Sequence, residues 1–272
     1  MRQIQAKTLR LRLVLRLGPP VLVLAAIILS WYLLVSGFGI QGYIFPTPLA
    51  VWNALLQHGW AYLPDAWVTT QEVLAGFGLA LVIGLPLAAV MSRSRSFRRG
   101  VYPVLIGSQM VPIFAVAALI TISLNADGLL PQIVIAALLC FFPIVVNGVD
   151  AFGAADAEMV NLLRSAGASN WRIFRTVRFP SALPALFSGS KLAITFAVGG
   201  AALGEWFGGQ SGLGYLMRFQ DDALTVPDMI ATAVVLTALG AILFAAVSLV
   251  EHFAIPWHRG AAEGMGDLWR SG

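Results

Sequence analysis

Six long apolar runs constrain the fold of this 272-residue chain more than any other feature. They cover approximately 20–36, 68–91, 101–122, 129–150, 183–206 and 229–250. A run of about 20 apolar residues crosses the hydrocarbon core of a bilayer as a helix. The composition agrees, because 58% of the residues are hydrophobic and only 11% are charged, whereas a soluble domain is about 25% charged. We therefore predict an all-α integral membrane protein with six transmembrane helices, since no run shows the alternation typical of a membrane barrel.

The basic residues predict how the chain crosses the membrane. On one side lie 15 of the 17 Lys and Arg residues, namely Arg2, Lys7, Arg10, Arg12, Arg16, Arg93, Arg95, Arg98, Arg99, Arg164, Arg172, Arg175, Arg178, Arg259 and Arg270. Because basic loops remain in the cytoplasm, we predict that both termini are cytoplasmic. The basic cytoplasmic segments account for the net charge of +4, so this charge is not a sign of a nucleic-acid partner. We expect a basic N-terminal segment at 1–18, along the membrane surface, a six-span domain at 19–257, and a cytoplasmic tail at 258–272.

Catalytic and metal-binding signals are weak. The single cysteine, Cys140, excludes a disulfide within the chain. The three histidines, His58, His252 and His258, do not have the spacing of metal ligands. We expect no enzyme activity, metal or cofactor in this chain. An intramembrane enzyme remains a remote alternative, as does an ion-coupled secondary transporter, although no internal repeat is evident.

The longest polar interruption, 150–184, is patterned as two short helices. A helix is predicted from Asp156 to Ala166, with acidic residues in its first turn and Arg164 in its last, as the helix dipole favours. Gly167 fits a C-cap, and Ser169 or Asn170 fits the N-cap of a second helix. We expect Pro180 and Pro184 to end the segment before the fifth span.

The second helix carries an aromatic face. Trp171, Phe174 and Val177 are three residues apart and so share one side. Aromatic residues beside arginines are common where a protein docks into a partner's groove. The pattern equally fits an amphipathic loop that rests on lipid headgroups. The residues alone leave both interpretations open.

This loop resembles the EAA loop of permease subunits in binding-protein-dependent ABC importers. The family pattern is Glu-Ala-Ala, three residues, Gly, nine residues, a branched apolar residue, one residue and Leu-Pro. Aligned on Gly167, the spacing is kept, with Val177 as the branched residue and Pro180 at the end. The chain departs from the pattern at Asn161, Leu162, Leu163 and Phe179. The missing Glu leaves open which side chain provides a polar contact.

The resemblance implies a type I ABC importer permease fold in a bacterial inner membrane. It implies that the loop docks into a cleft of an ABC ATPase, through Asn161, Leu162, Leu163, Arg164, Gly167, Ala168, Trp171, Phe174 and Pro180. ATP and Mg would be bound by that ATPase and not by this chain. The other implied partners are an extracytoplasmic solute-binding protein, a second copy of the chain in a homodimer, and membrane lipid.

Further segments resemble the sulfonate, nitrate and taurine branch of the family. Examples are TQEVLAGF from Thr70 and GEWFGGQSGLGYLM from Gly204. Within that branch, CFFPIVVN from Cys140 and FSGSKLAITFAVGGAALGEW from Phe187 look closest to permeases for thiamine-precursor pyrimidines. The resemblance favours such a pyrimidine as the solute, with aliphatic sulfonate, taurine or nitrate as alternatives.

Four polar residues at membrane depth are candidates for lining the translocation pathway: Gln109, Asn147, Lys191 and Glu205. Such residues are costly in a bilayer and are often functional. Neighbouring helices equally account for Gln109 and Asn147. Lys191 either snorkels towards the cytoplasm, pairs with a carboxylate or lines the pathway. Glu205 either faces the binding protein or outer gate, or is a solvated helix end.

Two further features are expected near the outer surface. Glu72 fits a position at the membrane interface. The glycine-rich segment Gly208–Gly214 lacks the Gly-Lys-Ser/Thr ending of a phosphate-binding loop. We interpret it as a flexible outer turn.

Overall fold

The protein is described by a computed structural model. It covers residues 2–124 and 128–258, with side chains at 18–124 and 128–257. Over these residues it is built from helices and contains no strand. The α-helices are α1 (Arg2–Gly37), α2 (Pro48–His58), α3 (Leu63–Arg93), α4 (Arg95–Ser108), α5 (Ile113–Leu124), α6 (Leu130–Gly153), α7 (Ala157–Ser165), α8 (Asn170–Ile173), α9 (Phe179–Gly208), α10 (Leu213–Asp222) and α11 (Val226–Ala254). The predicted all-α fold is confirmed.

Several of these helices are long and apolar enough to cross a membrane. In the described part of the chain five segments meet that condition: Gly18–Gly37, Pro48–Arg93, Leu130–Gly153, Asn170–Gly208 and Val226–Ala254. The pair α4 and α5 makes a sixth if it is counted as one span. The six predicted spans therefore correspond to five single segments and one bent pair.

The third predicted span, 101–122, is not one helix, and that prediction is wrong. Helix α4 ends at Ser108, α5 begins at Ile113, and the two are bent by 89°. Pro112 has no N–H and disfavours a helical conformation at the preceding residue, which accounts for a break at this point. The backbone N–H of Gln109 donates to the carbonyl of Ile106 in a tight turn.

The described chain divides into two units. The first combines the residues up to Ala61 with Met217–Ala233. In it, the hydroxyl of Thr47 caps α2 by accepting a hydrogen bond from the N–H of Ala50. The indole N–H of Trp31 donates to the carbonyl of Pro46 at 3.0 Å.

The second unit combines Tyr62–Leu216 with the residues from Val234 onward. Its core lies where α6 packs against α3 and α9. Small residues allow this approach: a Cβ placed on Gly76 in α3 or on Gly200 in α9 would lie 2.7 Å from an atom of Ala136 in α6. Close packing through small residues is typical of membrane helices.

The ends of the chain extend the first and last spans. Helix α1 continues from Arg2 through Pro19 and Pro20, so the described backbone of the basic N-terminal segment is helical and continuous with the first span. The predicted tail at 258–272 lies outside the described residues, apart from the backbone of His258.

Candidate functional site

The loop after α6 contains the two predicted short helices. The carboxylate of Asp156 caps α7 by accepting a hydrogen bond from the N–H of Glu158 at 2.9 Å. The hydroxyl of Ser169 caps α8 by accepting one from the N–H of Arg172 at 3.3 Å. Between them Gly167 has a φ of +77°, a conformation that glycine adopts without steric cost. The predicted pair of helices joined at Gly167 is confirmed.

The end of this loop differs from the prediction. After α8 the chain forms one π-helical turn, Phe174–Arg178, and continues directly into α9. Pro180 lies in the first turn of α9, where its missing N–H is not needed. Pro184 lies within the same helix. The prediction that these prolines end the segment is therefore wrong, and α8 is connected to the fifth span through a π-helical turn.

An aromatic stack supports the exposed tip of the loop. Trp171 is 69% exposed, and its ring stacks on Phe174 with 5.8 Å between the centroids. The ring centroid of Phe174 also lies 5.9 Å from that of Phe152 in α6 and 6.0 Å from that of Phe179 in α9. The exposed Trp171 is thus supported by rings of two membrane-spanning helices.

The other predicted docking positions lie on α7 and on the turn that follows it. Asn161, Leu162, Arg164 and Gly167 are exposed, and Leu163 and Ala168 are partly buried. Leu162 is 64% exposed although it is apolar. Leu162 and Trp171 therefore both add exposed apolar surface to this loop.

A cavity brings two of the predicted pathway residues together. Gln109 and Asn147 both line a space of about 470 Å³ beside the break between α4 and α5. The walls are otherwise apolar and include Met110, Phe142 and Phe196. The amide N–H of Asn147 donates to the carbonyl of Pro143 at 2.7 Å.

Lys191, a third predicted pathway residue, forms an ion pair. Its Nζ donates to Oε2 of Glu251 in α11 at 2.7 Å, and the two side chains are 22% and 23% exposed. Of the interpretations left open by the sequence, pairing with a carboxylate is the one observed. Neither residue lines the cavity with Gln109. Sequence reasoning missed Glu251, which lies 60 residues from its partner.

Glu205, the fourth predicted pathway residue, lies in α9 and is fully buried, and its carboxylate contacts the start of α10. Three consecutive N–H groups there donate to side chains: Gly212 to Asp65, Leu213 to Thr69 and Gly214 to Glu205. The N-terminal N–H groups of a helix need such acceptors, and negative charge near them is favourable. The glycine-rich segment is therefore anchored at this end, and its interpretation as a flexible turn is wrong.

Glu72 lies beside Glu205 in the same region. It is 1% exposed, so its side chain lies inside the protein. The two side chains interact directly. Among the described residues, Oε2 of Glu72 and Oε1 of Glu205 have no hydrogen-bond partner. Glu72 also lines a cavity of about 200 Å³ with Gln132 and Gln210.

The fold and these sites define a multi-pass helical membrane protein with a patterned loop and a cavity at a broken span. Residues 80–255 match the family described as "Binding-protein-dependent transport system inner membrane component", and the chain belongs to that family.

Relatives support this assignment over almost the whole chain. A probable ABC transporter permease protein of Haemophilus influenzae is 31% identical, covering 89% of this chain and 96% of the relative. A formylaminopyrimidine transport permease protein of Halalkalibacterium halodurans is 29% identical, with 88% and 96% covered. A riboflavin transport system permease protein of Chloroflexus aurantiacus is 32% identical, with 89% and 90% covered.

The fold is that of a type I ABC importer permease. An inward-facing structure of the methionine ABC transporter MetNI superposes with a TM-score of 0.62 at 20% identity, covering 72% of this chain and 97% of that one. Together with the family match, this makes the chain a non-catalytic permease subunit of an ABC importer in the inner membrane. Its ATPase is a separate subunit.

Proposed function

We propose that this permease imports a thiamine-precursor pyrimidine. The solute comes from an extracytoplasmic binding protein and crosses by alternating access along a pathway formed by two copies of the chain. The observation that carries the proposal is the cavity of about 470 Å³ that Gln109 and Asn147 share beside a broken span. The relative named for formylaminopyrimidine transport supports the choice of solute.

The lining chemistry fits a small planar heterocycle. Carboxamides both donate and accept hydrogen bonds, as the edge of an aminopyrimidine also does. The rings of Phe142 and Phe196 provide aromatic surface for a flat solute. Non-helical backbone at membrane depth is tolerated where it is buried or lines a cavity, and broken helices often form transport sites.

The alternative solutes fit this lining less well. Aliphatic sulfonate, taurine and nitrate carry an anionic group, whereas the described residues that line the cavity include no Lys, Arg or His. Riboflavin, which a relative of similar identity is named for, is also a heterocycle. Riboflavin is much larger than a pyrimidine and carries a polyol chain. Competition between the two compounds for uptake therefore distinguishes these two candidate solutes.

The loop of α7 and α8 is our proposed docking site for the ATPase. Trp171 and Leu162 present exposed apolar surface, and Trp171 is supported by Phe174. ATP and Mg bind to the partner subunit. Closure of two ATPases would pull the loops together, and the connection of α8 to α9 would transmit that movement to the fifth span.

Uptake into proteoliposomes tests this function. The permease, its ATPase and its binding protein are reconstituted together, and labelled formylaminopyrimidine is supplied with riboflavin or alkanesulfonate as competitor. We expect ATP-dependent uptake that excess unlabelled formylaminopyrimidine abolishes and alkanesulfonate does not. Uptake of riboflavin in preference to the pyrimidine would overturn the choice of solute, and uptake without ATP would overturn the ATP-driven mechanism.

A variant pair tests the cavity itself. Gln109→Leu removes an exposed carboxamide from the lining and is expected to lower uptake strongly while ATPase association is retained. Ser188→Ala is the matched control, because Ser188 is exposed on α9, bonds to the carbonyl of Pro184 and does not line the cavity. Equal uptake by both variants would contradict a role for Gln109 in the pathway.

A further inference from the structure

A second large cavity lies beside the docking loop. It has a volume of about 670 Å³ and is bordered by the last turn of α3, by α6, and by α8 with the π-helical turn after it. Three guanidinium groups line it, from Arg93, Arg164 and Arg178. They come from three separate segments, so the tertiary fold gathers them at one cavity.

These arginines have no acidic partner among the described residues. Other basic residues do pair with carboxylates, as Arg98 does with Asp150 and Lys191 with Glu251. A guanidinium donates several N–H bonds in a planar fork that fits phosphate oxygens. Three unpaired guanidiniums around one cavity therefore favour an anion with several oxygen atoms.

The rest of the lining is apolar. Ala89 and Val90 contribute from α3, and Ile173, Phe174 and Phe152 form the wall near α8. A free inorganic anion gains nothing from such a wall, whereas a molecule with a charged head and a hydrocarbon chain uses both parts of the lining.

The position of the cavity suggests which molecule this is. Arg93 is the last residue of the membrane-spanning helix α3, so the arginines lie where a headgroup region begins. The distribution of Lys and Arg predicts that this side is cytoplasmic, and the inner leaflet is rich in anionic lipid. We propose that this cavity binds the phosphate headgroup of an anionic phospholipid, with its acyl chains along the apolar wall.

Through this site, lipid composition would influence the coupling between the ATPase and the membrane helices. Trp171 and Phe174 of the docking loop line the same cavity as the arginines. A bound lipid would brace α8 against the end of α3. Binding of an acidic segment of the ATPase is the competing explanation for the same three charges.

Lipid retention by the purified complex with its ATPase is the test. The complex is assembled in nanodiscs of phosphatidylcholine with phosphatidylglycerol, released for native mass spectrometry, and the retained phosphatidylglycerol is counted. The double variant Arg93→Gln/Arg178→Gln is expected to retain about 25-fold less, since each basic residue near an anionic surface contributes about a factor of five. Arg95→Gln/Arg175→Gln is the matched control, because it removes the same charge from nearby positions that do not line the cavity.

Three results would overturn the proposal. The first is equal retention of phosphatidylglycerol by the two double variants. The second is loss of the ATPase from the Arg93→Gln/Arg178→Gln complex with lipid retention unchanged, which would assign the arginines to the partner protein. The third is complete displacement of the lipid by millimolar inorganic phosphate, which would indicate a site for a free anion. Selective loss of lipid with the ATPase still bound supports the proposal.

Discussion

The carboxylate of Glu205 in α9 accepts a hydrogen bond from the backbone N–H of Gly214, nine residues further along the chain. Both residues are buried. With Asp65 and Thr69 accepting from the two preceding N–H groups, the first turn of α10 is bound to α3 and α9 at once. This cluster uses intramembrane polar groups to fix a helix end, which is a structural role distinct from lining a pathway.

Replacing Glu205 tests this role. Glu205→Ala leaves the N–H of Gly214 buried without an acceptor, and we expect it to lower the free energy of unfolding by about 2 kcal/mol. Glu205→Gln keeps an acceptor oxygen of the same reach, and its amide supplies a donor to Glu72. It should therefore be close to wild type. Thermal unfolding of the purified permease in detergent measures the difference, and equal stability of the two variants would contradict the capping role.

Gly212 offers a second test of the same cluster. Its φ of +102° is unfavourable for other residues, and an added Cβ would lie 2.3 Å from Cδ of Glu205. We expect Gly212→Ala to lower the unfolding temperature by several degrees because both the backbone and the carboxylate must shift. Gly199→Ala is the control, since a Cβ there meets nothing within 4 Å. A Gly212→Ala protein as stable as the control would show that the turn adapts freely.

The ion pair of Lys191 and Glu251 predicts that these two side chains, in α9 and α11, contribute jointly to the stability of the protein. Lys191→Met and Glu251→Gln each leave one charge without its partner, so each should destabilise the protein by about 1–3 kcal/mol. The double variant Lys191→Met/Glu251→Gln removes both charges and should be more stable than either single variant. Thermal unfolding of the three variants completes a double-mutant cycle. Purely additive losses would mean that the ion pair contributes no coupling between α9 and α11.

Local signals were sufficient to predict the two short helices of the loop after α6, whereas features that depend on long-range contacts were not predicted. Caps at Asp156 and Ser169 and the glycine between the helices act within a few residues, so the sequence was sufficient for α7 and α8. The prolines were less informative. Pro86 and Pro143 lie inside continuous helices while Pro112 marks a break, because the outcome depends on whether surrounding helices satisfy the freed carbonyls.

The buried carboxylate of Glu205 shows more clearly that long-range contacts are not predicted by local sequence. Thr69 and Leu213, which hold one contact of the α10 cluster, are 144 residues apart. From the sequence, Glu205 near the end of an apolar run was consistent with a solvated or outward-facing position. Only the structure reveals that Glu205 is buried and accepts a hydrogen bond from the backbone N–H of Gly214. Hydrophobic periodicity identifies spans, but it carries no information on which polar groups meet inside them.

Gly167 provides the sharpest test of coupling. Its φ of +77° favours glycine, yet an added Cβ would meet nothing within 4 Å. Gly167→Val is therefore expected to leave the helical fold intact, while about 1–2 kcal/mol of backbone strain reorients α8 relative to α7. Gly167→Asn is the matched control, since asparagine tolerates this conformation better than other residues with a Cβ. With both variants in proteoliposomes, we expect ATP-driven uptake to fall severely for Val and mildly for Asn, at similar thermal stability. Uptake at the wild-type rate by Gly167→Val would show that the geometry of this turn does not transmit ATPase closure to the membrane helices.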